Sequence, residues 1–314
     1  MRTAELNRSR KLGVEYEFSI PVLSTGTAHA AREVLASVLT QNGLPTVARP
    51  YCQTPLQPPH VLAVEHDASI GGENTWRGIT WIPVELKTKI LSGIDEWEQI
   101  VPQALTICSY LGGRATVRAG HHVHLGIPEV QSDPSIIRSL FNLFHRFEPV
   151  IYGLVPPSRR TSGYCRPIPS ELSKLLHSCC SLRDYQRALV FDRHQGVNWT
   201  TLFSAEPHLE LRYAGATVDE VKARHWVRFC LQMVEHAVRR NCQATPTQVA
   251  RDRRGIDKLL TTCGFKANSR IYGKVSKELR ETGRYLLLNR WRKFNPTQRQ
   301  GHQPEEGLTW ASDL

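Results

Sequence analysis

The stretch His121-His122-Val123-His124-Leu125-Gly126 carries the most informative pattern in the chain. In a β-strand, successive side chains point to opposite faces, so His122 and His124 share one face and the two aliphatic residues share the other. Two neighbouring imidazoles on a strand that ends in a glycine indicate a metal-binding or phosphate-binding site. A solvated strand face, or two hydrogen-bonded histidines, accounts for the same residues, so other segments must decide between these interpretations.

Four further segments have strand-like patterns and carry charged side chains among large apolar ones. They are Leu12–Ile20 with Glu15 and Glu17, Val61–Asp67 with Glu65 and Asp67, Ile79–Lys87 with Glu85 and Lys87, and His208–Tyr213 with Glu210 and Arg212. Carboxylates two residues apart on a strand lie about 7 Å from each other, and buried acids need cationic partners. If these strands join one curved antiparallel sheet, their polar faces converge into a carboxylate-rich hollow that requires divalent cations. Carboxylates with few histidines and no cysteine favour Mg²⁺ or Mn²⁺ over zinc.

Helical patterns account for most of the remaining chain, which predicts an α+β fold. The predicted helices cover Ala28–Asn42, Ile94–Leu111, Pro134–Tyr152, 170–190, the segment from the capping box at Thr217 to about Arg240, 247–263 and 269–294. The loop Pro156–Pro167 contains three arginines, and we interpret it as an anion clamp or as an ordinary surface loop.

The net charge of +11 is concentrated near the C-terminal end of the chain. Residues 251–295 contain 13 lysines and arginines against 4 aspartates and glutamates. Such a segment could bind nucleic acid, an acidic protein or an anionic substrate, or it could form a solvated helical face. No apolar run approaches the roughly 20 residues of a membrane span, and the start of the sequence has no signal-peptide core. We therefore expect a cytoplasmic protein without a membrane segment.

The polar strands resemble the motifs of a known enzyme group, the amidoligase family of the glutamine synthetase and glutamate–cysteine ligase (carboxylate–amine ligase) superfamily. The resemblance covers roughly residues 12–240. It rests on Gly13-x-Glu15-x-Glu17, Asp67-x-Ser69, Val84-Glu85, Gly120-x-His122-x-His124, the Pro-Ser-Arg loop at 157–159, Tyr164-Cys165, Glu210-x-Arg212 and Gly215-x-Thr217. The chain departs from the family at Ala119, where cysteine is common, and at Lys87-Thr88-Lys89, where a serine-proline turn is common.

This resemblance implies a glutamine-synthetase-like curved antiparallel sheet flanked by helices, with a helical C-terminal extension. Residues 1–245 would form the catalytic domain, 246–294 a basic helical extension packed on it, and 295–314 a polar tail. The resemblance also implies roles for individual side chains. Glu15, His122 and Glu210 would hold one metal ion, and Glu17 and Glu85 a second with Asp67 as a further candidate. His124 and Arg212 would face the transferred phosphate, and Arg159 or Arg160 would clamp a substrate carboxylate or a nucleotide phosphate. Apart from the resemblance, Lys87, which shares a strand face with Glu85, is a candidate for nucleotide binding.

The activity that the resemblance implies is ATP- and Mg²⁺-dependent amide formation between a carboxylate and an amine, through an acyl phosphate. Three alternatives stay open. The same fold could phosphorylate an amine or guanidino group, as phosphagen kinases do. The H-x-H motif could serve a metal-dependent hydrolase that needs no ATP. The basic segment 251–295 could bind nucleic acid.

Overall fold

The computed structural model describes residues 2–23, 27–52, 54–190, 192–240, 242, 247–268 and 270–296. The strands of this part are β1 (Arg2–Ala4), β2 (Leu12–Leu23), β3 (Thr46–Ala48), β4 (Leu62–Glu65), β5 (Asn74–Trp76), β6 (Ile79–Thr88), β7 (Gly120–Gly126), β8 (Val197–Asn198), β9 (His208–Gly215) and β10 (Tyr272–Val275). The larger helices are α1 (Ala28–Gln41), α2 (Ile94–Tyr110), α4 (Ser135–Gly153), α8 (Glu220–Arg240) and α9 (Arg253–Cys263). The shorter helices are α3 (Glu129–Ser132), α5 (Pro157–Arg160), α6 (Leu172–His177), α7 (Leu182–Leu189), α10 (Lys277–Arg284) and α11 (Arg292–Phe294), with a π-helical turn at Tyr285–Trp291.

One mostly antiparallel sheet forms the centre of the molecule. Its strands follow the order β3-β4-β6-β2-β7-β9-β8, with β5 paired to the outer part of β6, and only the β3–β4 pair is parallel. The long strand β2 lies between β6 and β7, and the start of the chain therefore runs through the middle of the sheet. The structure confirms the prediction of mixed helices and strands with antiparallel pairing.

The face of the sheet opposite the acidic side chains forms the hydrophobic core. Tyr16, Phe18 and Val123 are fully buried there. The ring of His121 stacks on Tyr16 with 4.3 Å between the ring centroids. Alternation along β2 and β7 thus places one set of side chains in the core and the other set on the opposite face. Burying each large apolar side chain contributes about 1.5–3 kcal/mol to the stability of the sheet.

Helices α2, α4 and α8 pack together over this core. In α4 the buried stripe includes Leu140, Phe144 and Phe147, which lie three or four residues apart and therefore share one side of the helix. The 21-residue helix α8 is buried along most of its length. Among the described residues, no helix is long and apolar enough to cross a membrane.

One prediction for the C-terminal segment is wrong. The sequence pattern predicted helix throughout 269–294, but Tyr272–Val275 forms strand β10 and pairs in parallel with β1 at the start of the chain. Pairing with a strand about 270 residues away supplies hydrogen bonds that local periodicity cannot reveal. The predicted helix at 170–190 is also divided, into α6 and α7. The predicted tail at 295–314 lies almost entirely outside the described residues.

Candidate active site

Strand register brings the polar side chains of six strands onto one face of the sheet. Glu15 on β2 lies opposite His122 on β7 and opposite Lys87 on β6. His124 on β7 lies opposite Glu210 on β9. Asn198 on β8 extends this row, because it pairs with Glu210. In a third row, Glu85 on β6 lies between Glu17 on β2 and Glu65 on β4.

His122 occupies the middle of this cluster. Its Nδ1 atom lies 3.0 Å from Glu15 Oε2 and 3.6 Å from Glu210 Oε1. Its Nε2 atom lies 3.5 Å from Glu17 Oε1. His122 is 3% exposed, so these contacts are largely shielded from water. The structure therefore brings together the three residues predicted to hold one metal ion, Glu15, His122 and Glu210.

His124 and Glu210 form a second part of the cluster with Glu15. Ligand atoms of Glu15, His124 and Glu210 all lie within 4.8 Å of one another. The guanidinium of Arg212 forms an ion pair with Glu210, and Arg212 Nε donates to the carbonyl of Tyr164 at 3.3 Å. His124 thus lies among the candidate metal ligands, and its role towards a transferred phosphate, together with Arg212, stays a prediction.

Glu17, Asp67 and Glu85 converge as the sequence predicted for the second metal ion. Their nearest ligand atoms also lie within 4.8 Å of one another. A third group with the same spacing consists of Glu15, Glu85 and His122, and it shares residues with both of the others. The backbone N–H of Gly120 donates to Glu17 Oε2 at 2.6 Å, which fixes that carboxylate.

The pKa values of two carboxylates in the cluster shift in opposite directions. Burial alone would raise the pKa of Glu15, but the charges and hydrogen bonds of His124 and His122 lower it well below its ordinary value. Burial raises the pKa of Glu85 well above its ordinary value, and repulsion from Glu15 raises it further. Burial disfavours the charged form of His124, but Glu15 and Glu210 raise its pKa overall. Burial and repulsion from Glu15 therefore hold Glu85 back from ionising, and a cation bound beside it would favour its charged form.

Two buried atoms of the cluster have only ionic contacts among the described residues: Glu85 Oε2 lies 3.1 Å from Lys87 Nζ, and His124 Nε2 lies 3.5 Å from Glu15 Oε1. Both residues belong to groups with the spacing of metal ligands. Carboxylate oxygens dominate these groups, and carboxylates suit hard divalent cations such as Mg²⁺ or Mn²⁺. The residues present therefore fit a divalent cation.

A cleft of about 1310 Å³ opens over this face of the sheet. Typical ligand pockets measure roughly 300–1,000 Å³, so the cleft has room for more than one reactant. Basic side chains line it in addition to the acidic cluster. They are Arg10, Lys11, Arg49, Lys87, Lys89, Arg193 and Arg212.

The two arginines predicted to clamp an anion lie elsewhere. Arg159 is 2% exposed, and its Nη2 donates to the backbone carbonyl of Arg212 at 2.6 Å, so it supports β9 from beneath the site. Arg160 donates to the carbonyls of Tyr152 and Phe294 at 2.7 and 3.2 Å. Neither side chain lines the cleft. These hydrogen bonds satisfy carbonyl groups, including one in the last turn of α4. The anion clamp stays a prediction.

Three polar residues of the site had no role assigned to them from the sequence. Asn198 Nδ2 donates to Glu210 Oε2 at 2.6 Å and so orients that carboxylate. Glu65 is fully buried and pairs with Arg49, whose Nε lies 2.7 Å from Glu65 Oε1. The position of Glu65 on an otherwise apolar strand was the available signal, whereas Asn198 and Arg49 lie in short or irregular segments without a periodic pattern.

A family model described as "Putative amidoligase enzyme" matches residues 8–234. Among solved structures, 10 chains match, including the Francisella tularensis glutamate–cysteine ligase in complex with AMP. That match has a TM-score of 0.43 and 9% sequence identity, and it covers 95% of this chain and 84% of that chain. At this TM-score the similarity supports no conclusion about substrate or nucleotide.

No curated protein sequence matches the chain significantly. The family match nevertheless spans most of the chain and contains every residue of the acidic cluster. From Glu15 on β2 to Arg212 on β9, the polar face of the sheet lies within the matched residues. The chain therefore belongs to the amidoligase enzyme family.

Proposed function

We propose that the chain is an ATP-dependent carboxylate–amine ligase that forms an amide through an acyl phosphate, at a site with two divalent cations. The observation that carries this proposal is the convergence of Glu15, Glu85 and Glu210 with two histidines on one wall of a large cleft, with the buried Glu17 next to them. A buried cluster of this charge needs cations, and membership of the amidoligase family supports the formation of a carbon–nitrogen bond.

The reaction needs ATP because a carboxylate is a poor electrophile. In the first step, a carboxylate oxygen attacks the terminal phosphorus of ATP, ADP leaves and an acyl phosphate forms. In the second step, the amine nitrogen attacks the acyl carbon, the C–O bond to phosphate breaks, and the nitrogen loses a proton. The products are an amide, ADP and phosphate.

Mg²⁺ or Mn²⁺, when bound, neutralises the polyphosphate and orients its terminal phosphoryl group. Glu15 and Glu210, together with His122 or His124, would hold one ion. Glu17, Asp67 and Glu85 would hold the second, which is the assignment that the family resemblance implies.

Arg212 would stabilise negative charge on the transferring oxygens. Its guanidinium faces the cleft and is held by Glu210 and by the carbonyl of Tyr164. A fixed guanidinium favours the transition state because no reorganisation is needed as charge develops. Arg159 positions this strand through the carbonyl of Arg212. The substrates are a carboxylate and an amine, each of which could be a small molecule, a peptide or a protein side chain.

Substitution of the predicted ligands tests the proposal. We expect Glu15→Gln, His122→Ala and Glu210→Gln each to reduce ADP release by at least about 100-fold, because loss of a direct ligand should cost more than the 10–100-fold typical of residues that only orient ligands. ADP release is measured against pools of carboxylates and amines with Mg²⁺. The exposed Glu33→Gln is the matched control, since Glu33 lies on α1 outside the cleft.

Product analysis separates the proposal from its alternatives. A stable phosphorylated amine in place of an amide would indicate a phosphotransferase of the phosphagen-kinase type. Turnover without ATP would indicate a hydrolase. Full activity of any of the three ligand variants would remove that residue from the site.

A further inference from the structure

The ammonium group of Lys87 lies among three carboxylates of the acidic cluster. Its Nζ atom is 3.1 Å from Glu65 Oε2, 3.1 Å from Glu85 Oε2 and 3.6 Å from Glu15 Oε1. The Lys87 side chain is only 13% exposed. It therefore contacts the same oxygen atoms that a metal ion in this part of the cleft would use.

The fold holds Lys87 in this position from several sides. Strand β6 lies between β2 and β4, so Lys87 is paired with Glu15 on one side and with Ala63 on the other. The ring of Tyr51 lies 4.5 Å from Nζ and covers it with a cation–π contact. Burial disfavours the ammonium ion, but the three carboxylates raise the pKa of Lys87 above its ordinary value, so the side chain stays charged.

The position of Lys87 affects the three candidate metal groups unequally. Glu15 and Glu85, two of its contacts, both belong to the group Glu15–Glu85–His122. Glu85 Oε2 has no hydrogen bond and faces Nζ instead. A divalent ion between Glu15 and Glu85 would meet the ammonium charge within a few ångströms and lose two of its oxygen ligands to it. The other groups each share only one residue with the lysine's contacts.

We propose that Lys87 is a built-in cation that takes the place of a divalent ion at Glu15–Glu85–His122. The site then binds two divalent ions, at Glu15–His124–Glu210 and at Glu17–Asp67–Glu85, and a third only when the lysine charge is removed. The inference rests on the proposed function, because that proposal makes the cluster a metal site. It assigns to Lys87 a role in setting the number of bound ions in place of direct contact with nucleotide.

Counting bound Mn²⁺ tests this inference without any turnover. The full chain is titrated with Mn²⁺ in the absence of nucleotide, and free Mn²⁺ is measured by electron paramagnetic resonance. We expect two bound ions in the unmodified protein and three in Lys87→Met. Lys87→Arg keeps the charge and should bind two. Lys89→Met is the matched control, because Lys89 also lines the cleft but pairs with Glu96 at 2.6 Å, outside the cluster.

The outcomes separate the two proposals. Equal, non-zero counts in the unmodified protein and in Lys87→Met would show that the lysine charge does not set the number of bound ions, and would overturn its assigned role while leaving the metal site intact. No bound Mn²⁺ in either protein would overturn the two-metal site and the role of Lys87 together. If Lys87→Met fails to fold, the unmodified protein still decides, since three bound ions there contradict the proposal.

Discussion

Glu15 and Glu85 face the same cleft, yet their pKa values shift in opposite directions. Both are affected by burial, so the difference comes from their neighbours. His124 and His122 lower the pKa of Glu15, whereas repulsion from Glu15 raises the pKa of Glu85 further. Neighbouring charges therefore decide which of the two carboxylates ionises more readily.

A buried carboxyl on the other face of the sheet gives a testable pH dependence. Glu148 is 2% exposed, and it accepts hydrogen bonds from Tyr213 Oη at 2.8 Å and from the N–H of Ile168 at 2.9 Å. Burial nevertheless raises the pKa of Glu148 from 4.5 to about 8. The folded protein therefore retains a proton that the unfolded chain releases at neutral pH.

The direction of the pH dependence follows from the proton that Glu148 retains in the folded protein. Stabilisation by Glu148 is complete below pH 4.5 and is lost as the pH rises towards about 8. We expect the free energy of unfolding of the unmodified protein to fall relative to Glu148→Gln between pH 5 and pH 8, by up to about 1.4 kcal/mol per pH unit. Urea unfolding of both proteins at the two pH values measures the difference. If the unfolding free energies of the two proteins change equally between pH 5 and pH 8, Glu148 does not retain a proton in the folded protein.

At the scale of elements, the C-terminal segment is attached to the core through close packing at the end of α4. A Cβ added at Gly153 would lie 2.1 Å from Cζ3 of Trp291 in the π-helical turn. Asn295 also donates to the carbonyl of Gly153 at 2.9 Å. The absence of a side chain at Gly153 therefore allows the π-helical turn to approach α4.

Adding one methyl group at this contact should weaken the attachment. We expect Gly153→Ala to lower the free energy of unfolding by about 1–3 kcal/mol, because the indole must shift away from its packed position. Gly163→Ala is the matched control, since a Cβ there meets no atom within 4 Å, and it should change stability by less than about 0.5 kcal/mol. Urea unfolding measures both. Equal stabilities would show that Trp291 accommodates the methyl group without cost.

At the scale of the whole molecule, segments near the two ends of the described part of the chain contact each other and the helices. Strand β1 pairs with β10, and Arg8 contacts Asp95 on α2 and Glu278 on α10. Part of the basic segment is also used internally: Arg290 donates to the carbonyl of Leu154 at 2.8 Å. Binding of nucleic acid by 251–295 and the division into a catalytic domain and an extension stay predictions.

Cation binding at the cluster should stabilise the whole fold, because its carboxylates come from separate strands that only the folded chain brings together. We expect Mg²⁺ to raise the melting temperature, with a gain of about 2.7 kcal/mol in unfolding free energy when its concentration is 100 times the Kd. Glu210→Gln should reduce this gain, while Glu33→Gln should keep it. Differential scanning calorimetry with and without Mg²⁺ measures the effect. A melting temperature that Mg²⁺ leaves unchanged in the unmodified protein would contradict a metal-binding cluster.

The sequence by itself determined the alternation that places Glu15 and Glu17, or His122 and His124, on one face of a strand, since that periodicity is local. It also carried the family motifs and most of the helices. Only the tertiary structure decided which side chains meet: Lys87 among three carboxylates, Asn198 on Glu210, and Arg160 on carbonyl groups away from the cleft. The reason is that strand register and long-range pairing depend on packing between residues far apart in the chain, which no local pattern contains.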